Sequence, residues 1–379
     1  MQARLVIAPP ARLSCGQTLT AKAALVPDNP PHPYYDLPAS AYWRSGVAAQ
    51  LPGPLTGLWE PAFPIAPGDG VATFGSCFAQ HFGRALRARG YRWVNFEPPP
   101  RKVPQALSLQ YGYRQFSARM GNIYTPTLFL QWLRWAFDQA QMPPEGWPDG
   151  ARLRDPFRPR LEPDGFTDSA EMHHMRRVTL RALRNAVRKA RVLVFTLGLT
   201  ERWVDADTGL EYPLCPGTAG GRFDPARHAF APLDYPQALA AMADAMDLMR
   251  TENPDLRFLL TVSPVPLAAT ASGAHVLCAT SGSKAILRAV AGALAETRPD
   301  TDYFPSYEII SSPVHGGRFF GPDMRQVTQE GVDLVMDSFF GTMAARFPDN
   351  APAPPAPSKP LARDVVCEEE LYAAFGPRA

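Results

Sequence analysis

No stretch of this 379-residue chain reaches the roughly 18 apolar residues that a membrane-spanning helix needs. The opening residues, Met1 to Pro10, lack the apolar segment of roughly 7–15 residues that marks a secretory signal. A cytoplasmic protein is expected. Basic blocks are missing too. The 38 basic and 36 acidic residues are dispersed, with a formal charge of +2, so the footprint of a nucleic-acid binder is absent. Cysteines are few: Cys15, Cys77, Cys215, Cys278 and Cys367, an odd number with no close-spaced pair. That disfavours a disulfide framework or a zinc knuckle and fits a reducing compartment. Gly-x-x-x-x-Gly-Lys and Gly-x-Gly-x-x-Gly runs are also missing, which argues against a nucleotide site. No metal or other cofactor is expected.

What the chain does have is apolar content of 46% and 42 prolines, enough for one large core with ordered loops. Residues 1–69 combine proline with aromatics such as Tyr34, Tyr35, Tyr42 and Trp43. They read as an arm lying over the core, because that aromatic surface is costly to leave in water. Short apolar runs at 71–74, 192–197 and 258–262 read as strands, with 91–95 as a further one. Helical patterns at 81–89, 127–139, 172–190, 235–251 and 283–297 separate them. Strands alternating with helices imply a parallel sheet with right-handed crossovers. The expected fold is a three-layer α/β/α domain over 70–346, with a loop-rich, lid-like insertion at 143–168 where prolines preclude a continuous helix. After it come a Pro/Ala linker and a tail, 361–375, with an acidic patch at Glu368, Glu369 and Glu370. The tail reads either as a docking segment for a partner or as a solvated terminus.

The most informative segment is Phe74-Gly75-Ser76-Cys77-Phe78-Ala79-Gln80, which ends the first apolar run and opens an amphipathic one. A strand-to-helix turn of this kind puts Ser76 at the carboxyl edge of a sheet beside helix N-terminal amides, which favour negative charge. Cys77 is the rival nucleophile, since a thiol at a helix start has a lowered pKa. Its side chain turns about 100° away from that of Ser76. Cys77 therefore reads as a packing residue whose backbone amide serves an oxyanion hole.

The pentapeptide Gly75-Ser76-Cys77-Phe78-Ala79 resembles the signature of the GSCFA proteins, which belong with the SGNH hydrolases. The likeness extends through 116–125, 195–201, 261–267 and 303–308. It implies a flavodoxin-like α/β sheet and serine-based acyl chemistry. From the SGNH pattern, Gly121 and Asn122 are the expected oxyanion donors. Gly198, Thr200 and Glu201 stand where a Gly-x-Asn-Asp block would fall, with Thr200 as a donor and Glu201 as an orienting or substrate-binding group. The pattern also places Asp-x-x-His on the last loop. The corresponding run is Asp323-Met324-Arg325-Gln326, so Gln326 holds the position of the missing histidine.

Another base is then required. His275 is favoured because the family tends to place a histidine ahead of a Ser-Lys helix, here Ser283-Lys284, with Asp323 or Glu201 orienting it. His315, before Gly316-Gly317, is the alternative. The resulting expectation is an esterase or O-acyltransferase acting through acyl-Ser76 on a hydroxylated carbohydrate or lipid-like metabolite. The alternative is a degenerate fold that binds a glycan or acyl group without turning it over.

Overall fold

The computed structural model describes residues 32–51, 53–350, 365 and 367–376. Cys15 and the linker at 351–360 lie outside the described residues. The chain forms two compact units, Met1–Leu51 and Pro52–Ala379. In the first, short helical turns at Ala39–Ala41, Trp43–Gly46 and Ala48–Gln50 carry Tyr34, Tyr35, Tyr42 and Trp43 as exposed side chains. Residues 53–69 go with the second unit. Phe63 and Ile65 are buried there, and Trp59 stacks on Phe339 with ring centres 5.3 Å apart.

Four parallel strands form the central sheet: β1 (Val71–Gly75), β2 (Val192–Leu197), β3 (Arg257–Val262) and β4 (Thr301–Tyr303). Registers run from Val71↔Val192 to Gly75↔Thr196, from Val192↔Arg257 to Leu197↔Val262, and from Phe258↔Thr301 to Leu260↔Tyr303. Buried on both faces, these strands read in sequence as apolar runs without alternation. The strand expected at 91–95 contracts to a parallel bridge between Trp93 and Val71, closed by Val71 N–H to Arg92 O at 3.0 Å and Val94 N–H to Val71 O at 2.9 Å. In space the order is bridge, β1, β2, β3, β4. The chain leaves β1 towards the bridge and returns on the other side as β2. The carboxyl end of β1 is therefore the topological switch point, where diverging crossovers leave a crevice.

Helices cover both faces. Pro126–Ala136, Ser169–Lys189, Tyr235–Glu252 and Val276–Thr297 pack Phe129, Trp132, Leu183, Met246 and Leu287 against the face bearing Phe74, Phe195 and Phe258. Ala79–Ala88 and Gln329–Arg346 bring Phe82, Val335 and Phe339 to the face bearing Val71, Val194 and Leu259. Local chemistry sets the helix starts. Thr125 caps the first of these with Pro126 at its first position, and Asp234 forms a capping box with Gln237.

The 143–168 insertion is a hairpin, Trp147–Asp149 with Arg152–Arg154, followed by a buried ionic knot. Asp155 accepts from Arg158 Nε at 2.9 Å and Arg176 Nη2 at 2.8 Å, beside wholly buried Phe157. Burial alone would raise the Asp155 pKa, but the two guanidiniums leave it lowered.

Candidate functional site

Gly75 ends β1 with φ +123°, and a Cβ there would lie 2.3 Å from the Thr196 carbonyl oxygen. Only glycine lets the chain turn this close to β2. The turn delivers Ser76, whose N–H bonds Thr196 O at 3.0 Å and whose carbonyl accepts from Ala79 N–H at 2.9 Å as the helix begins. Its hydroxyl is buried and has no hydrogen-bond partner among the described residues. A buried hydroxyl without a partner is uncommon, and here it sits at the switch point.

The loops around Ser76 are tied together through the backbone. Ile123 N–H reaches Gly75 O at 2.9 Å, and Gly198 and Leu199 N–H share Tyr124 O at 2.9 and 3.0 Å. A Cβ on Gly198 would lie 3.1 Å from Ser76 Cβ, so that glycine admits the serine. Asn122 Oδ1 accepts from Gln80 Nε2 at 3.2 Å, which turns its amide nitrogen the other way. Behind it, buried Arg119 donates to Tyr111 O at 2.9 Å and Glu162 at 2.6 Å, while Arg158 Nη1 donates to Arg119 O at 3.0 Å. The ionic knot thus fixes the loop that carries Gly121 and Asn122.

Lys284 is buried, its Nζ donating to Gly198 O at 2.7 Å. Burial pushes its pKa down, and the negative charges of Glu369 and Cys77 oppose that. Thr200 is also buried, its N–H donating to Ser283 Oγ at 2.9 Å.

The acidic tail folds into this site. Residues Glu368–Phe375 form a 3-10 helix, and Glu368 and Glu369 are each only 4% exposed. Both the backbone N–H and the side-chain amide of Asn122 donate to the Glu368 carboxylate, whose own backbone N–H donates to the Tyr124 hydroxyl oxygen at 3.1 Å. Burial pushes the Glu368 carboxyl up to about 7 against the pull of Arg160. Burial and the Cys367 charge also raise Glu369, while Arg325 and Lys284 hold it back. The Cys77 thiol donates to the Cys367 sulfur, and Arg325 Nη2 reaches that sulfur at 3.2 Å. This pairing leaves Cys77 raised well above an ordinary thiol and Cys367 lowered.

The loop that would carry Asp-x-x-His holds the tail. Asp323 Oδ1 is taken up by the N–H groups of Arg325 and Gln326 at 3.1 and 3.0 Å, a local turn. Arg325 Nη2 donates to Glu369 at 3.4 Å and Gln326 Nε2 to Glu370 at 3.2 Å.

The histidines are not joined to Ser76. His275 is exposed and caps its own helix, with Nδ1 accepting from Leu277 N–H at 3.2 Å. His315 packs edge-on to Phe319, ring centres 4.9 Å apart. Glu201 takes the Thr270 hydroxyl and the Ala271 amide, and its pKa is raised by burial. The described geometry therefore gathers Ser76, Cys77, Gly121, Asn122, Gly198 and Thr200, but links neither His275 nor Asp323 to the serine hydroxyl. Sequence reasoning did not assign Gln80, Tyr124, Lys284, Arg325, Cys367, Glu368 and Glu369 to the site. The first two lie inside or beside the quoted motifs, and Lys284 within the Ser-Lys pair, whereas nothing local marks the tail residues as site residues.

The fold and the site together define an α/β protein with a buried serine at the switch point of a parallel sheet. The chain belongs to the GSCFA family, whose model matches residues 70–339. No curated protein and no solved structure matches it. Among the described residues, no helix is long and apolar enough to cross a membrane.

Proposed function

We propose that this is an SGNH-like serine acyl-transfer enzyme of the cytoplasm, an esterase or O-acyltransferase in which Ser76 takes the acyl group. One observation carries the reading: the buried Ser76 hydroxyl, at the carboxyl end of β1 where a helix begins, has no hydrogen-bond partner among the described residues, and the Asn122 loop is tied beside it by Ile123 N–H to Gly75 O at 2.9 Å. Asn122, whose Oδ1 is taken by Gln80 Nε2, presents its amide as a donor of the kind needed for the oxyanion of an acyl-transfer intermediate. Ser76 Oγ attacks the acyl carbonyl and its proton passes to a base. The carbonyl oxygen takes the negative charge between the Asn122 donors. Collapse then expels the alcohol and leaves acyl-Ser76, which passes its acyl group to water or to a second alcohol.

With no imidazole bonded to Ser76, the base assigned here is Lys284. Like the histidines it makes no bond to the Ser76 hydroxyl, but its Nζ is buried on the carbonyl of Gly198, the residue that faces Ser76 Cβ, and burial favours its neutral form. A fluorophosphonate probe tests the assignment. Covalent labelling at Ser76 should vanish in Ser76→Ala, fall by about 10²-fold or more in Lys284→Met, and persist in His275→Ala. Loss of labelling in folded His275→Ala would return the base to His275.

The second reading, a carboxylate-binding protein without turnover, draws on the tail carboxylates that already fill the crevice. Absence of labelling at Ser76 in folded protein, with or without the tail contacts, would favour it.

A further inference from the structure

We propose that the tail, residues 367–375, is an autoinhibitory strap: seated, it closes a cleft over Ser76, and the cleft opens when the strap lifts as a unit. Calling this inhibition rests on the acyl-transfer reading. The closure does not.

The Ser76 side chain is buried, so nothing in solution meets it until a covering element moves. The strap is the element placed to do so, because it fastens one site loop to the next. Glu368 N–H donates to the Tyr124 hydroxyl oxygen at 3.1 Å, Arg325 Nη2 to Cys367 Sγ at 3.2 Å and to Glu369 at 3.4 Å, and Cys215 N–H to the Tyr372 hydroxyl oxygen at 2.8 Å. Against Gly121 the fit is close, a Cβ there lying 3.5 Å from Glu368 Oε1.

Two openings end on the strap. One is a cavity lined by Tyr124, Leu199 and Leu267, which Glu369 and Tyr372 wall off, and the other is a groove lined by Gly121 and Arg160, which stops at Glu368. Gly121 and Tyr124 belong to one loop, and that loop lies on the serine. Ile123 N–H reaches Gly75 O at 2.9 Å, and a Cβ on Gly198 would lie 3.1 Å from both Ser76 Cβ and Tyr124 Cα. Lifting the strap joins the two openings across this loop, beside Ser76.

What the strap buries explains why it can lift. Elements that stay seated bury apolar side chains, whereas here only Cys367, Glu368 and Glu369 are buried, two of them carboxylates, and Phe375 is 66% exposed. A segment with so few buried apolar contacts opens locally at far less cost than global unfolding.

Tyr372 can be released without touching Ser76, Asn122 or either carboxylate. The experiment measures alkylation of Cys367 on the strap and of Cys77, buried beside it, each relative to exposed Cys278, by peptide mass spectrometry in the full chain. Fluorophosphonate labelling of Ser76 is followed on the same samples. Tyr372→Ala, which loses both the bond and the ring, should speed all three reactions by about 10-fold, and Tyr372→Phe, which loses the bond alone, by about 3-fold. Faster Cys367 alkylation with Cys77 unchanged, or with Ser76 labelling present but no faster, means a strap that covers nothing and overturns the proposal. Equal rates of all three in wild type and the folded variants overturn it as well. Faster alkylation of both cysteines with no Ser76 labelling in any sample retains the closure and removes the acyl-transfer reading.

Discussion

At position 75 a single methyl group decides whether the site forms. With φ at +123° and the Thr196 oxygen 2.3 Å from any Cβ, Gly75→Ala combines backbone strain with a clash against rigid backbone. It should cost roughly 3 kcal/mol or more, read from the urea midpoint. Asn122 operates differently, since Gln80 aims its amide and Arg119 holds its loop. Asn122→Ala should lower kcat by about 10²-fold with little change in KM, as expected of a donor used mainly in the transition state. An unchanged kcat would return Asn122 to a turn residue that only seats the tail. Cys77→Ala should keep activity, because the thiol packs against Cys367 and only the backbone amide belongs to the site. The Ser76 and Asn122 positions were legible because each sits in a short motif whose backbone requirements are local. The base was not. His275 caps a helix that begins at Val276, seven residues earlier than its apolar pattern indicates, and that cap uses the imidazole.

At the scale of elements, the tail titrates in a way that can be measured. Seated Glu368 has its carboxyl pushed up to about 7 by burial, against an ordinary value of 4.5 when released. An acid whose seated pKa is raised stabilises seating below its ordinary value and loses that contribution as pH rises towards the seated value. Glu369 moves the same way. Cys367, lowered to about 6 by the Cys77 thiol and Arg325, opposes them only from there upward. Two raised acids outweigh the one thiol, so tail seating should weaken between about pH 4.5 and 7. Hydrogen exchange in residues 367–376, corrected for its intrinsic pH dependence, should rise across that window, less steeply in Glu368→Gln, and flatten only in Glu368→Gln/Glu369→Gln. A flat wild-type profile contradicts the account. Three sheet strands and five helices were visible as runs or periodic patterns. β4, Thr301–Tyr303, and the two- and three-residue strands of the small sheets carry too few residues to show a period. The acidic tail reads in sequence as a docking segment or a solvated terminus and not as part of the site, because its partners, Asn122, Lys284 and Arg325, are remote in sequence.

The second unit is held by two apolar layers on one sheet, and a polar knot couples one flank of that core to the site. Asp155→Ala would leave Arg158 and Arg176 buried without their carboxylate, at a cost of about 3–5 kcal/mol. The variant should melt earlier and, while folded, react more slowly at Ser76, since Arg158 supports the Arg119 carbonyl. The parallel α/β architecture followed from alternating runs alone. Its switch point did not, because it depends on a single bridge, Val71 with Trp93.

The central claim is that Ser76 is a reacting group sharing its crevice with the chain's own tail. It is tested most directly by the rate of fluorophosphonate labelling at Ser76, followed by intact mass, in wild type and in Glu368→Ala/Glu369→Ala. The account predicts labelling in both, about 10-fold faster in the variant, and none in Ser76→Ala. Equal rates in the two folded proteins, or no labelling in either, would contradict it.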